Sequence, residues 1–261
     1  MKLELLLSVV NFNSIEDVKN HINKANIKSD VVVVNQSCFG GYEESLYNSN
    51  NIIRFISMVD KGVGISRNTA LLKTKADIAM FVDDDEFFVD GYEEKILKAF
   101  KLLPDADVII FNVESKNINR KNTIIRKTHR VRWFNFMRYG AYQIVIKVES
   151  IKKYRIYFST FFGGGCVFGS GEDSLFLSDV LDSGLKIYAF PEKIAYVRQD
   201  SSSWFKGYNG KYFFDRGVLY SQIFKFPNLL GFIQLIRKNT GKELSCFEKF
   251  RFFYNGTRFF G

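Results

Sequence analysis

Cysteine is scarce in this 261-residue chain: Cys38, Cys166 and Cys246 are odd in number, far apart and without metal-ligand spacing. That pattern argues against a disulfide framework or a zinc site and fits a reducing compartment. No run approaches the roughly 18 consecutive apolar residues of a membrane span. No internal repeat, low-complexity segment or nucleic-acid-binding module is recognisable, which argues against solenoid architectures and against nucleic acid as a partner. The N-terminal Met1-Lys-Leu-Glu-Leu-Leu-Leu-Ser-Val-Val10 carries charge inside its apolar run and lacks a small-residue cleavage site. It reads as a first strand rather than a signal peptide, and the expected location is the cytoplasm.

What is present is a core-forming composition, 46% hydrophobic against 25% charged. Together with the length it predicts one α/β domain with an appendage. The net charge of +9 is unevenly spread. Residues 1–115 hold 12 basic against 18 acidic residues, 116–155 hold 12 against 1, 156–203 hold 3 against 6, and 204–261 hold 10 against 3. Basic blocks suit a polyanionic ligand or an anionic lipid surface, and acidic ones suit metal or catalytic carboxylates.

Leu3–Val10 is a candidate strand, and Ser14 with Asp17 marks the start of a helix. The β-branched run Val31–Val34 reads as a strand buried on both faces, with Asn35 and Gln36 at its end. A third strand covers Ile52–Met58, and Gly62-Val-Gly-Ile-Ser-Arg-Asn68 opens a helix. Ile78–Val82 ends in Asp83-Asp-Asp-Glu86. At the C-terminal end of a buried strand, period-two alternation puts Asp83 and Asp85 on one face, where both could address one hard cation; a solvated acidic turn is the bland alternative. Asp90 with Glu93 is expected to cap a helix that Pro104 stops, before a strand at Val108–Val113. The order β-α-β-β-α-β-α-β predicts a mainly parallel sheet flanked by helices, with ligands at the C-terminal strand ends, where Asn11, Asn35, Asp60 and Asp83 converge.

The basic segment 116–155 is either a solvated crossing or a pocket wall, and it leads to a strand at Gln143–Val148. Gly163-Gly-Gly165 forms a turn open to close approach. Glu172 and Asp173 fall in the first turn of a helix, where the macrodipole favours their charge. Short strands at Lys186–Phe190 and Lys193–Val197 follow. The aromatic, basic residues 222–261 read either as helices packed on the domain or as an interfacial segment.

These pieces, in this order, resemble the family 2 glycosyltransferases with the GT-A nucleotide-diphospho-sugar transferase fold, over roughly residues 3–220. The motifs that carry the resemblance are Ser8-Val-Val-Asn-Phe-Asn13, Val33-Val-Asn-Gln-Ser37, Gly62–Asn68 followed by Asp83-Asp-Asp85, and Gly171-Glu-Asp173. The resemblance implies a domain over 1–221, with a nucleotide-sugar half at 1–115, an acceptor half at 116–221, and an extension at 222–261. It places Val10, Asn11, Asn13, Asn35, Gln36, Gly62, Gly64, Arg67, Asn68, Asp83 and Asp84 around a UDP-sugar. Asn35 stands where the family commonly has an aspartate reading uracil. Asp83 would face ribose and, with Asp85, hold Mn²⁺ or Mg²⁺; Asp84 and Glu86 would lie behind or face solvent. Asp173 is implied as general base, with Glu172 beside it, and Gly163, Gly164, Gly165 and Trp204 near the acceptor. A late histidine of many relatives is missing, since only His21 and His129 occur, and Gln199, Asp200 or a water is expected in its place.

The implied activity is inverting transfer of a hexose or N-acetylhexosamine to a saccharide, lipid-linked or free, in bacterial capsule or surface polysaccharide synthesis. Peripheral contact with the inner membrane face and homo-oligomerisation are compatible with it. The alternative is a non-catalytic nucleotide-sugar-binding or assembly protein of the same fold.

Overall fold

The structure, a computed structural model, describes residues 1–47, 51–117, 123–199, 207–237, 240 and 243–260. Strand β1 (Leu3–Val10) leads into helix α1 (Ile15–Lys24), β2 (Asp30–Gln36), β3 (Gly41–Tyr47) and β4 (Asn51–Met58). Next come α2 (Val63–Lys73), β5 (Ile78–Asp83), β6 (Glu86–Phe88), α3 (Tyr92–Leu102) and β7 (Val108–Ser115). After β8 (His129–Arg130) follow β9 (Ile144–Lys147), α4 (Val148–Lys153), α5 (Glu172–Asp182) and β10 (Ile187–Val197). The C-terminal helices are α6 (Gly210–Ile223), α7 (Pro227–Arg237) and α8 (Cys246–Thr257).

All the strands belong to one sheet, ordered β3-β4-β2-β1-β5-β9-β7-β10-β6, with β8 paired to β10. Its heart, β4-β2-β1-β5, is parallel. The sheet as a whole is mixed, because β9 inserts antiparallel to both β5 and β7, and β3 and β6 close the edges antiparallel. The all-apolar strands split by period two into two cores. Leu5, Leu7, Val31 and Val33 meet α1 and α3 on one face, while Leu6, Val32, Val34 and Phe81 meet α2 and α5 on the other.

Local chemistry explains most boundaries. Ser14 Oγ accepts the Asp17 N–H and the Asp17 carboxylate accepts the Ser14 N–H, closing a capping box on α1. The expected Asp90 cap on α3 is not formed. Gly91, at φ 70°, takes the N-cap position, and Asp90 instead accepts the Asn26 amide at 2.9 Å. The two short strands expected after residue 186 are one strand, β10, whose register shifts between Ala189 and Lys193. Pro191 lies there and has no N–H for the ladder. The basic segment after residue 122 is more than a bare loop: Ile125, Val131, Phe136 and Tyr139 are buried in the second core while Arg126, Lys127, Arg132 and Arg138 stay outside.

Candidate active site

The parallel strands end abreast. Val10 lies opposite Gln36, Gln36 opposite Met58, and Ser8 opposite Asp83, so their loops open on one edge. Two buried or half-buried amides fix those loops. Asn35 accepts the Phe12 N–H at 3.0 Å and donates to the Phe12 carbonyl at 2.7 Å and to Ser57 Oγ. It is fully buried, so in this structure its role is to pin the β1–α1 loop rather than to present an edge to a base. Asn68 does the same to Phe158, accepting its N–H and donating to its carbonyl, both at 2.8 Å. Asn11, at φ 59°, donates its N–H to the Gln36 carbonyl, and Gln36 Oε1 accepts the Gly62 N–H at 2.8 Å. Val10 is half exposed, and Asn13 donates its N–H to Asp17 within the α1 cap. A side chain at Gly64 would put a Cβ 2.2 Å from the Ser159 carbonyl oxygen, so only glycine lets α2 approach there.

The acidic stretch is a turn rather than a continuing strand. β5 ends at Asp83, Asp84 and Asp85 form the turn, and Glu86 begins β6. Strand alternation therefore stops before Asp85, and Asp83 and Asp85 face different partners. Glu86 is not solvent-facing: it is fully buried and its Oε1 accepts the Asp83 N–H at 2.8 Å, closing the turn. Burial, and then the Asp83 charge, pushes its carboxyl well above the usual range, which favours the protonated acid. Asp84 is the exposed tip.

Arg67 joins the acidic turn to α5. Its side chain is buried; Nη2 donates to Asp83 at 2.9 Å and Nη1 to Glu172 at 3.0 Å, while the guanidinium lies 5.3 Å from the Phe158 ring centre. Burial works against its charge, but Asp83 and Glu172 more than offset that and raise it above the ordinary guanidinium value. Glu172 also accepts the Gly171 N–H, and a Cβ at Gly163 would fall within 3.0 Å of its carboxyl. Gly163 has φ 107°; only glycine combines that backbone with this packing. Gly164 accepts the Val63 N–H, tying the glycine turn to the start of α2, and Gly165 at φ 80° stays exposed.

Asp173 is strongly altered as well. Burial and then the Glu172 charge push it up to about 7, against the opposing pull of the Ser174 N–H, Arg67 and Arg216. A carboxylate with that value is matched to proton transfer near neutral pH. Tyr142 is within the electrostatic reach of Glu86, Asp173 and Asp83, and burial raises its hydroxyl. Neither Tyr142 nor Arg216 has a sequence signal for the site; both arrive there by folding, one from a short turn before β9 and the other from α6.

A divalent cation fits the turn. Asp83 already has Arg67, whereas the Asp85 carboxylate is met by the Gln199 N–H at 3.1 Å. Burial raises Asp85, the Gln199 N–H lowers it in part, and Asp83 raises it further, a deficit of positive charge that a cation would relieve. Gln199, one of the residues expected in place of a late histidine, meets Asp85 through its backbone N–H. Among the described residues no three His, Cys, Asp or Glu side chains are grouped to hold an ion, so the protein offers part of a coordination sphere. Trp204 and Asp200 lie outside the described residues.

The model of glycosyl transferase family 2 matches residues 18–163. No curated protein sequence matches the chain. Among solved structures, residues 1–349 of S. aureus TarS in complex with UDP-GlcNAc share 17% identity with a TM-score of 0.61, over 98% of this chain and 72% of that one. The same portion in complex with UDP gives 17% and 0.60 over 98% and 71%. A further S. aureus TarS structure gives 16% and 0.60 over 99% of this chain and 44% of that one. At such identities the likeness is one of fold.

Proposed function

The chain belongs to glycosyl transferase family 2, and on that premise we propose that it moves a sugar from a UDP-sugar to a saccharide hydroxyl with inversion. The observation that carries this reading is Arg67 binding Asp83 and Glu172 together, with Asp173 next in sequence and raised to about 7. The family match ends at residue 163, so the base is argued from this geometry. S. aureus TarS structures hold UDP-GlcNAc or UDP, which supports a UDP-linked donor here.

Asp173 takes the proton of the acceptor hydroxyl as that oxygen attacks the anomeric carbon. The bond from that carbon to the donor phosphate breaks, its electrons leave with UDP, and one displacement inverts the centre. Arg67 holds Glu172 away from the incoming hydroxyl and leaves Asp173 as the proton acceptor. The acceptor approaches past the exposed end of the glycine turn, at Gly165. Asp85 would hold Mn²⁺ or Mg²⁺, which would supply positive charge against the departing diphosphate, while Asp83 stays with Arg67. The biological setting we propose is bacterial surface polysaccharide assembly at the cytoplasmic face of the membrane, on a lipid-linked or free oligosaccharide. The test is a panel of UDP-sugars with Mn²⁺, read as transfer and as donor hydrolysis. Turnover that survives Asp173→Asn sinks the base assignment, and UDP binding without transfer to any acceptor favours a non-catalytic protein.

A further inference from the structure

Helices α7 and α8 leave outside a surface that catalysis does not use. On α7 the inward side is set by Gly231 against the Phe253 ring, Gln234 accepting from the Tyr220 hydroxyl, and Asn228 paired with Thr257. The opposite side carries Phe226, Leu229, Leu230, Phe232 and Ile233, exposed at 65, 62, 37, 45 and 43%. Positions 226, 229, 230 and 233 share one helical face, so a helix already packed on one side has a second apolar side in water. On α8, Phe250 receives the Phe232 ring at 5.7 Å and stacks on Tyr254 at 6.3 Å, and Phe247 is exposed.

Cations border this strip. Lys225 lies over Phe226 at 5.8 Å, Arg258 over Tyr254 at 5.9 Å, and Arg251 is exposed. Glu248 is committed to the Ser245 cap. A segment distant in sequence adjoins it: Trp133 packs on Phe136 at 5.4 Å and Phe136 on Phe224 at 6.4 Å, next to Lys225. Trp133 and Phe134 are themselves exposed, with Arg132 and Arg138 beside them. The buried Phe136 thus links the exposed Trp133 to Phe224, the residue before Lys225.

We propose that this surface seats the protein flat on an anionic lipid bilayer, the apolar side chains entering the headgroup boundary and the cations meeting lipid phosphates. Among the described residues no helix is long and apolar enough to cross a membrane, and the 11 residues of α7 reach only about 16 Å. Pairing with a second copy is disfavoured by charge. A two-fold interface would bring Lys225, Arg251 and Arg258 of one copy near the same three of the other, a repulsion that the Glu248 carboxylate offsets only in part. The inference deepens the membrane-face part of the reading above and does not depend on sugar transfer.

The test is co-sedimentation of the full chain with phosphatidylcholine vesicles and with vesicles of equal parts phosphatidylcholine and phosphatidylglycerol, at low and physiological salt, with mass measured by light scattering. Binding to the anionic vesicles, weakened by salt, is expected. Arg251→Ser and Arg258→Ser should each reduce partitioning about fivefold. The double variant Leu229→Ser/Ile233→Ser should abolish binding while keeping donor hydrolysis in solution. Asp173→Asn should sediment as wild type, which separates failed docking from failed catalysis. Equal binding to both vesicles, or none, overturns the proposal, as does a dimeric mass that the double serine variant halves.

Discussion

The two ends of the parallel strands each bury an arginine among carboxylates, with opposite outcomes. At the N-terminal end Arg54 donates to Glu4 at 2.8 Å and has the half-exposed Glu44 at 3.5 Å, and the other oxygen of Glu4 accepts from Thr74 Oγ1 at 2.5 Å and from the Lys75 N–H at 3.3 Å. Both side chains are buried and every oxygen of Glu4 is met. At the C-terminal end Arg67 serves Asp83 and Glu172, while Asp85, Glu86 and Asp173 nearby are pushed up for want of positive charge or water. A buried carboxylate whose oxygens are all met holds the strands in place; a cluster of under-met carboxylates stores reactivity. The excess of carboxylates, rather than burial of charge as such, distinguishes the site from the scaffold.

That contrast can be broken experimentally. The largest effect expected is on turnover: Asp173→Asn should lower the transfer rate by about 10²–10⁴-fold, as loss of a positioned base does, with circular dichroism unchanged. Removing Arg54 should instead be read in denaturant titrations. Arg54→Ala strands Glu4 in the core and should cost about 3–5 kcal/mol of stability, whereas Arg67→Ala should cost less, because Asp83 keeps 36% of its side chain exposed, yet should cripple transfer. Equal losses of stability would erase the distinction drawn between the two ends.

The pH dependence gives a finer test. The Asp173 value of about 7 predicts a transfer rate that climbs as pH rises through 7, since only the deprotonated form accepts the hydroxyl proton. The sign for stability is the reverse. A carboxyl raised from near 4 to about 7 keeps its proton in the folded state over that window while the unfolded chain has released it, so wild type loses stability as pH rises across it. Asp173→Asn should therefore be the more thermostable protein at pH 8, with the gain shrinking to nothing below about pH 4. The smallest effect lies outside both clusters: Ser14→Ala should cost about 1 kcal/mol by removing one side of the α1 capping box, a calibration for the larger changes.

Sequence pattern carried what depends on neighbours along the chain. The apolar runs of β1, β2 and β5, the Ser14–Asp17 cap and the stop at Pro104 follow from period, capping and steric rules acting within a few residues. So does the accumulation of acids after Val82, which unaided left a cation site and a solvated turn both open. Glu4, by contrast, looked like a lone charge in an apolar run, because its partner Arg54 is 50 residues away. Tertiary structure alone decided that β9 enters antiparallel and that the chain turns at Asp84–Asp85. It alone decided that Asn35 is spent on Phe12, and that Arg67 spans 105 residues to reach Glu172. The reason is common to all four. A hydrogen bond or ion pair forms where folding brings two groups within reach at the right angle, and that reach is set by sheet order and helix packing, which composition and spacing do not encode.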